Sequence, residues 1–191
     1  MGATILAFDL GTTGNKATLF DRSGKAIASA FKPYETIYPQ PGWAEQKAED
    51  WWCSACEASL ELTSRNPIDA KEIVAVGFSG HMMGCLPVDA AGIPLCNSLI
   101  HSDGRSEPQC TALRRRFSDA DLYRLTGNRI APQYTLPKMI WLKENHPEVC
   151  ERTAKFLQAK DYLAFRMTGN LGITDYSDAS LAGLLDITGK E

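Results

Sequence analysis

LAFDLGTTGNKATLF, residues 6–20, decides how this chain is read. An apolar segment ends in Asp9, turns through Gly11, Thr12, Thr13 and Gly14, and resumes as a second apolar segment. A carboxylate at the tip of a strand costs desolvation energy unless something compensates it. It can do so by holding Mg²⁺ through water, since Mg²⁺ keeps most of its hydration shell. The turn that follows offers backbone N–H groups and two hydroxyls, and consecutive N–H groups make a concave anion site. Lys16 adds a positive charge beside it. Positioning and charge neutralisation are what phosphoryl transfer needs. The plainer reading is a β-hairpin whose turn uses the usual Asp, Gly and Thr residues. The motif alone leaves both open.

Around this stretch, residues 4–9, 15–21 and 25–32 read as three strands, with a hairpin turn at 21–24 where Gly24 supplies φ > 0. Residues 33–46, rich in Pro and Tyr, read as an extended loop. A helix is expected over about 47–64, acidic in its first turn. KEIVAVGFSG, residues 71–80, has the pattern of a buried strand opening into a loop. CLPVDAAGIPLCNSLI, residues 85–100, reads as two strands joined by a turn at Asp89–Gly92. Helical patterns follow at 106–116, 119–125, 136–144, 147–153 and 159–168. Strands followed by helices predict a mixed α/β domain, and the early hairpin makes its sheet mixed rather than parallel. Neither G-x-G-x-x-G nor G-x-x-x-x-G-K-[ST] occurs.

Composition narrows the function. The 191 residues carry 20 basic and 23 acidic side chains, a net charge of −3, which argues against nucleic acid held by bulk charge. No apolar run reaches the ~18 residues of a membrane span, and the N-terminus lacks the pattern of a signal peptide. The expected location is the cytoplasm. Six scattered cysteines fit it. Cys53 and Cys56 form a C-x-x-C on the first helix and are expected to be reduced packing residues.

FDLGTTGNKATLFD, GWAEQKAEDWW, VGFSGHMMG, SDGRS, LYRLTGN, KMIWLKENHPEV, KDYLAFRMTG and TDYSDAS occur here in that order. Together they closely resemble the FGGY carbohydrate kinases, above all the xylulose-kinase branch, along essentially the whole chain. The resemblance implies a ribonuclease H-like fold of the actin/hexokinase/Hsp70 type, with a mixed central sheet flanked by helices. It also implies transfer of the γ-phosphoryl of ATP to a sugar or polyol hydroxyl with Mg²⁺. By the same resemblance Asp9 takes the catalytic, metal-associated role, holding Mg²⁺ through water, and Gly11, Thr12, Thr13 and Lys16 are the phosphate contacts.

The sugar site implied by the resemblance includes His81, Met82, Met83, Asp103, Arg105, Gln133 and Tyr134. Where the xylulose-kinase branch reads Gly-Gln-Met-His-Gly, this chain has Gly80-His81-Met82-Met83-Gly84. Met83 thus replaces a histidine that contacts the ketose, and a thioether has little hydrogen-bonding power. Where the branch reads Trp-Asn-Asp-Gly-Arg, this chain has His101-Ser102-Asp103-Gly104-Arg105. Losing one hydrogen-bonding partner at a polar site shifts substrate preference strongly. The plainer readings are that Met82 and Met83 fill core, and that Asp103 and Arg105 pair across a turn.

The resemblance further implies that residues 1–191 are the N-terminal domain alone. The family's catalytic base and its nucleotide-binding C-terminal domain would lie beyond Glu191. Asp161, Asp175 and Asp178 read instead as capping or turn carboxylates. The expected partners are a small sugar or polyol, ATP and that second domain, with no nucleic acid or membrane. The fragment is expected to be inactive alone and to expose an apolar face through which it could form a homodimer. The alternative is a non-catalytic sugar- or phosphate-binding module. A chaperone-like or actin-like ATPase shares the superfold.

Overall fold

A computed structural model describes residues 3–66 and 68–189. The chain divides into two compact units, Met1–Thr36 with Glu49–His81, and Ile37–Ala48 with Met82–Glu191.

The first unit begins with three strands, β1 (Thr4–Leu10), β2 (Gly14–Phe20) and β3 (Ala26–Pro33), joined as an antiparallel meander. Asp21 closes the second turn by accepting from the N–H groups of Ser23 and Lys25, and Gly24 has φ +83°. Helix α1 (Ala48–Arg65) then carries the chain back to β5 (Ile73–Gly80), which pairs parallel to β1. Parallel pairing needs such a crossover. The sheet order is β3-β2-β1-β5, a mixed sheet as the sequence predicts.

Alternation along β1 sets its two faces. Leu6, Phe8 and Leu10 are buried, while Ile5 and Asp9 are exposed. Ala17 and Leu19 of β2 are buried too, as is the α1 stripe of Trp51, Ala55, Ala58 and Leu62, spaced by helical turns. Strand β5 departs from expectation. Its apolar run reads as buried, yet Val74 and Val76 are exposed, because β5 has a strand on one side only among the described residues. An apolar run records affinity for a cover but does not supply one.

The second unit holds two short ladders. Strand β4 (Glu45–Gln46) pairs with β7 (Ser98–Leu99), and β6 (Leu86–Val88) pairs with β8 (Lys155–Leu157), both antiparallel. The expected hairpin within 85–100 therefore reduces to isolated bridges, Cys85 to Leu99 and Val88 to Pro94, about the turn at Asp89. Its strands find their ladders far along the chain.

Helices α2 (Glu107–Arg114), α3 (Asp119–Thr126), α4 (Thr135–Asn145), α5 (Pro147–Arg152), α6 (Ala159–Thr168) and α7 (Tyr176–Leu181) follow. Ser118 caps α3 and Gly127 ends it at φ +71°. Gln158 and Asp161 form a capping box on α6. Cys85, Leu99, Trp141 and Leu142 form a core cluster, with Trp43, Met139, Cys150 and Phe156 packed on it. All six cysteines are free, and Cys53 is exposed rather than packed.

Candidate active site

In the first unit the glycine turn joins β1 to β2. Asp9 lies opposite Lys16 in the β1–β2 register and opposite Ser79 in the β1–β5 register. Cross-strand partners stand on the same face, and Asp9 and Lys16 are both exposed. Asp9, Lys16, Thr18, Gly77 and Ser79 help line a concavity of about 500 Å³ on this sheet face.

The turn is held from one side. Gly11 N–H donates to Gly14 O at 2.9 Å. The next strand's exit then binds three successive turn carbonyls. Tyr34 OH donates to Gly11 O (2.5 Å), Thr36 Oγ1 to Thr12 O (3.3 Å), and Tyr34 N–H to Thr13 O (3.3 Å). Carbonyl oxygens repel an anion, so tethering all three lowers what opposes one at this turn. Tyr34 is pushed well above the usual phenol range by burial and by the nearby Asp9 carboxylate. At Gly14 a Cβ would stand 2.4 Å from the Phe31 ring and 2.6 Å from Lys32 O, so only glycine fits. His81, which closes this unit, donates its backbone N–H to Leu10 O (2.8 Å) and stacks edge-on with Trp51 at 5.4 Å between centroids.

Mg²⁺ is compatible with this donor set. Among the described residues no three His, Cys, Asp or Glu side chains gather as a metal cage. One exposed carboxylate beside an anion-binding turn is nonetheless the arrangement that suits Mg²⁺ bound mainly by water and phosphate oxygens.

The remaining sugar-site candidates lie in the second unit. Asp103 and Arg105 are buried and bind each other. Arg105 Nε donates to both Asp103 oxygens at 2.9 Å, and its Nη2 reaches Asp103 Oδ2 and Glu45 Oε1, each at 2.8 Å. Asp103 Oδ2 also accepts from Ala44 N–H at 2.6 Å. The guanidinium lies 3.8 Å over Trp43 and 4.9 Å from the Trp141 ring centre. The pair thus ties the 101–105 turn to the Trp43–Glu45 segment.

Met82 and Met83 are half-buried, and Met83 has φ +63°, the one non-glycine left-handed residue among those described. That conformation costs an L-residue about 1–2 kcal/mol. Gln133 is exposed, and Tyr134 lines a small apolar pocket of about 30 Å³ with Leu113, Ile130 and Pro137, room for about one water.

A ring of hydrogen bonds fixes the peptide groups after Met83. Gly84 N–H donates to Gln158 Oε1 (2.6 Å), Gln158 Nε2 to Thr135 Oγ1 (3.0 Å), and Thr135 Oγ1 to Gly84 O (2.8 Å). Lys138 Nζ donates to Met83 O (2.7 Å) and Gln133 O (2.6 Å). Burial lowers the Lys138 ammonium to about 8. His101 is lowered by burial and by that ammonium.

Tyr34, Thr36 and Lys138 are not evident from sequence. The signal for Tyr34 is a phenol in the segment that leaves the third strand of a meander. That segment must run back past the first turn. For Lys138 it is a single cation inside the apolar stretch LPKMIWL. Asp161 and Asp175 do cap helices, whereas Asp178 is buried and ion-paired with Lys160 at 3.1 Å.

The chain as a whole matches known proteins. Residues 4–191 match the family model of the FGGY family of carbohydrate kinases, N-terminal domain. A xylulose kinase of Bacillus subtilis (strain 168) is 41% identical over 187 residues, covering 98% of this chain and 37% of that protein. The ligand-bound xylulose kinase from Lactobacillus acidophilus superposes with TM-score 0.91 at 31% identity, over 99% of this chain and 38% of that one. The gluconate kinase from Lactobacillus acidophilus gives 0.89 at 31% identity, over 97% of this chain and 37% of that one. The chain spans under two-fifths of the length of each. Its fold is that of these sugar kinases, the actin/hexokinase type expected from the sequence.

Proposed function

Because this chain belongs to the FGGY family of carbohydrate kinases, we propose that it is the N-terminal domain of an enzyme that transfers the γ-phosphoryl of ATP to a hydroxyl of a ketose or polyol. The observation that carries the reading is the turn after Asp9. An exposed carboxylate and an exposed lysine face one another across β1 and β2, beside a glycine turn whose carbonyls are tethered away. In this reading Gly11, Thr12 and Thr13 bind phosphate, and Lys16 offsets its charge. Asp9 would hold Mg²⁺ through water, and the ion would supply charge neutralisation at the phosphate. His81, Met82, Met83, Asp103, Arg105, Gln133 and Tyr134 serve the acceptor. Asp103 and Arg105 do so mainly by fixing the 101–105 turn.

The 191 residues act as one functional domain of a cytoplasmic enzyme, whose nucleotide-binding half belongs to the remaining length seen in relatives. Alone they do not turn over, because phosphoryl transfer needs both walls of a site to exclude water and position the nucleotide. The xylulose kinases among the relatives make pentuloses the first substrates to try. Met83, in place of a hydrogen-bonding side chain, makes hexuloses and polyols the second.

The test is ADP release with Mg²⁺, ATP and a panel of pentuloses, hexuloses and polyols, using this chain and the product of its complete reading frame. Turnover by the complete product alone supports the proposal, and the best acceptor names the reaction. Sugar binding without ADP release by a folded, complete product would favour a non-catalytic binding module. Turnover by the 191 residues alone would refute their inactivity.

A further inference from the structure

The Lys138 ammonium is a costly group to keep in the second unit. It lies on α4 with no exposed surface, and it ion-pairs with no carboxylate among the described residues. A buried cation is retained only where hydrogen bonds replace its hydration. Here two main-chain carbonyls do so, those of Met83 and Gln133. These are not arbitrary partners. Met83 is the strained left-handed residue in the Gly80–Gly84 loop, and Gln133 precedes α4 in the other candidate acceptor segment. Backbone strain persists only where the surroundings over-determine it. At Met83 the surroundings are the Lys138 ammonium on its own carbonyl and the Gln158–Thr135 ring on the next residue.

We propose that Lys138 is a positioning residue of the acceptor site, whose ammonium clamps the Met83 and Gln133 carbonyls so that the two segments form one rigid wall for the sugar or polyol. The inference rests on the kinase reading for its ligand, but its geometry lies wholly in this chain. It explains why a charge is kept in an apolar helix face where leucine or methionine would pack without a desolvation penalty. The clamp also acquires a pH limit. The ammonium is lowered to about 8 by burial, and the groups that face it are Cys85, His101, Asp103, Arg105 and Cys110. Arg105 and His101 come from the turn after β7, Cys110 from α2, and Cys85 from the approach to β6. Of these, the Asp103 carboxylate favours the ammonium and Arg105 opposes it, while burial keeps the two thiols neutral at this pH. Above about pH 8 the neutral amine keeps donors but loses the charge assistance, and the wall loosens.

Two measurements test this. The first is hydrogen exchange on the chain itself, comparing wild type with Lys138→Met. The Gly84 and Tyr134 amides report on the two segments, bonded to Gln158 Oε1 and Ala131 O. Their exchange should rise at least tenfold in the variant, with the β1 and β2 amides unchanged. Unchanged exchange at both would overturn the clamp, whatever the enzyme does. The second uses the product of the complete reading frame. The acceptor KM should rise about tenfold in Lys138→Met while the ATP KM stays within twofold. Wild-type acceptor KM should climb above pH 8, and that climb should vanish in the variant. Equal changes in both KM values, or an unaltered pH profile, would reduce Lys138 to a structural residue. Should Lys138→Met not fold, the wild-type acceptor-KM profile and the protection factors of the Gly84 and Tyr134 amides at pH 7 and 9, corrected for the intrinsic base-catalysed rate, decide alone: no change in either would overturn the proposal. Should the wild type phosphorylate no acceptor, the kinase reading falls, and the exchange experiment still decides whether Lys138 clamps the two segments.

Discussion

At Gly14 two distances exclude any side chain. A methyl group there would meet the Lys32 carbonyl at 2.6 Å, and that backbone is fixed in the β2–β3 ladder. Gly14→Ala should cost about 1–3 kcal/mol, as overpacking does, and lower the melting temperature by several degrees. A melting curve that matches wild type would show that the turn has slack. Tyr34→Phe removes one donor from Gly11 O and nothing else of size. It should cost about 1 kcal/mol in stability and raise the ATP KM severalfold with the acceptor KM unchanged, as steady-state kinetics on the complete enzyme can show. Single residues also mark how far the sequence could be read. That Asp9, Thr12, Thr13 and Lys16 sit on one strand–turn–strand was legible because the motif is local. The Tyr34–Gly11 bond spans 23 positions and the Lys138–Met83 bond 55, so neither leaves a pattern in any short window. Asp103 and Arg105 were legible as a pair, but Trp43 and Glu45, which complete their surroundings, were not.

The elements with their own periodicity could be placed within a residue or two. The β1–β3 meander, α1 and the helices from α2 to α6 carry alternation, helical stripes or caps. What could not be placed were β4, β8 and α7, elements of two, three and six residues. Short strands of this kind exist only because a distant partner supplies the ladder. The capping box of α6 gives a prediction at this scale. Burial raises Asp161 to about 6, against an ordinary value of 3.8. The folded chain therefore binds its proton at a pH where the unfolded chain has lost it. The contribution is fully present below about pH 4 and is lost as pH rises through 6. Asp161→Asn keeps an oxygen for the Gln158 N–H but cannot ionise. Between pH 4 and 7 the stability of wild type should fall relative to the variant by on the order of 2 kcal/mol. Denaturation curves at the two pH values measure this, and parallel behaviour of the two proteins would contradict it.

For the molecule as a whole, the apolar edge strand matters most. Val74 and Val76 of β5 are exposed on a strand paired on one side only among the described residues. Such an edge invites another strand. The 191-residue chain should self-associate at high concentration, and Val74→Lys should reduce that without altering the melting temperature, as sedimentation will show. A monomeric wild-type chain at every concentration would remove this expectation. We propose that the turn after Asp9 is a phosphoryl-transfer site. Its most direct test is Asp9→Asn in the product of the complete reading frame, assayed for acceptor-dependent ADP release with Mg²⁺. Asp9 is exposed, so the variant should fold and melt like wild type and keep its acceptor KM. Its kcat should fall about a hundredfold or more, the scale at which preorganised charge stabilisation acts. A variant that retains wild-type kcat would contradict the account.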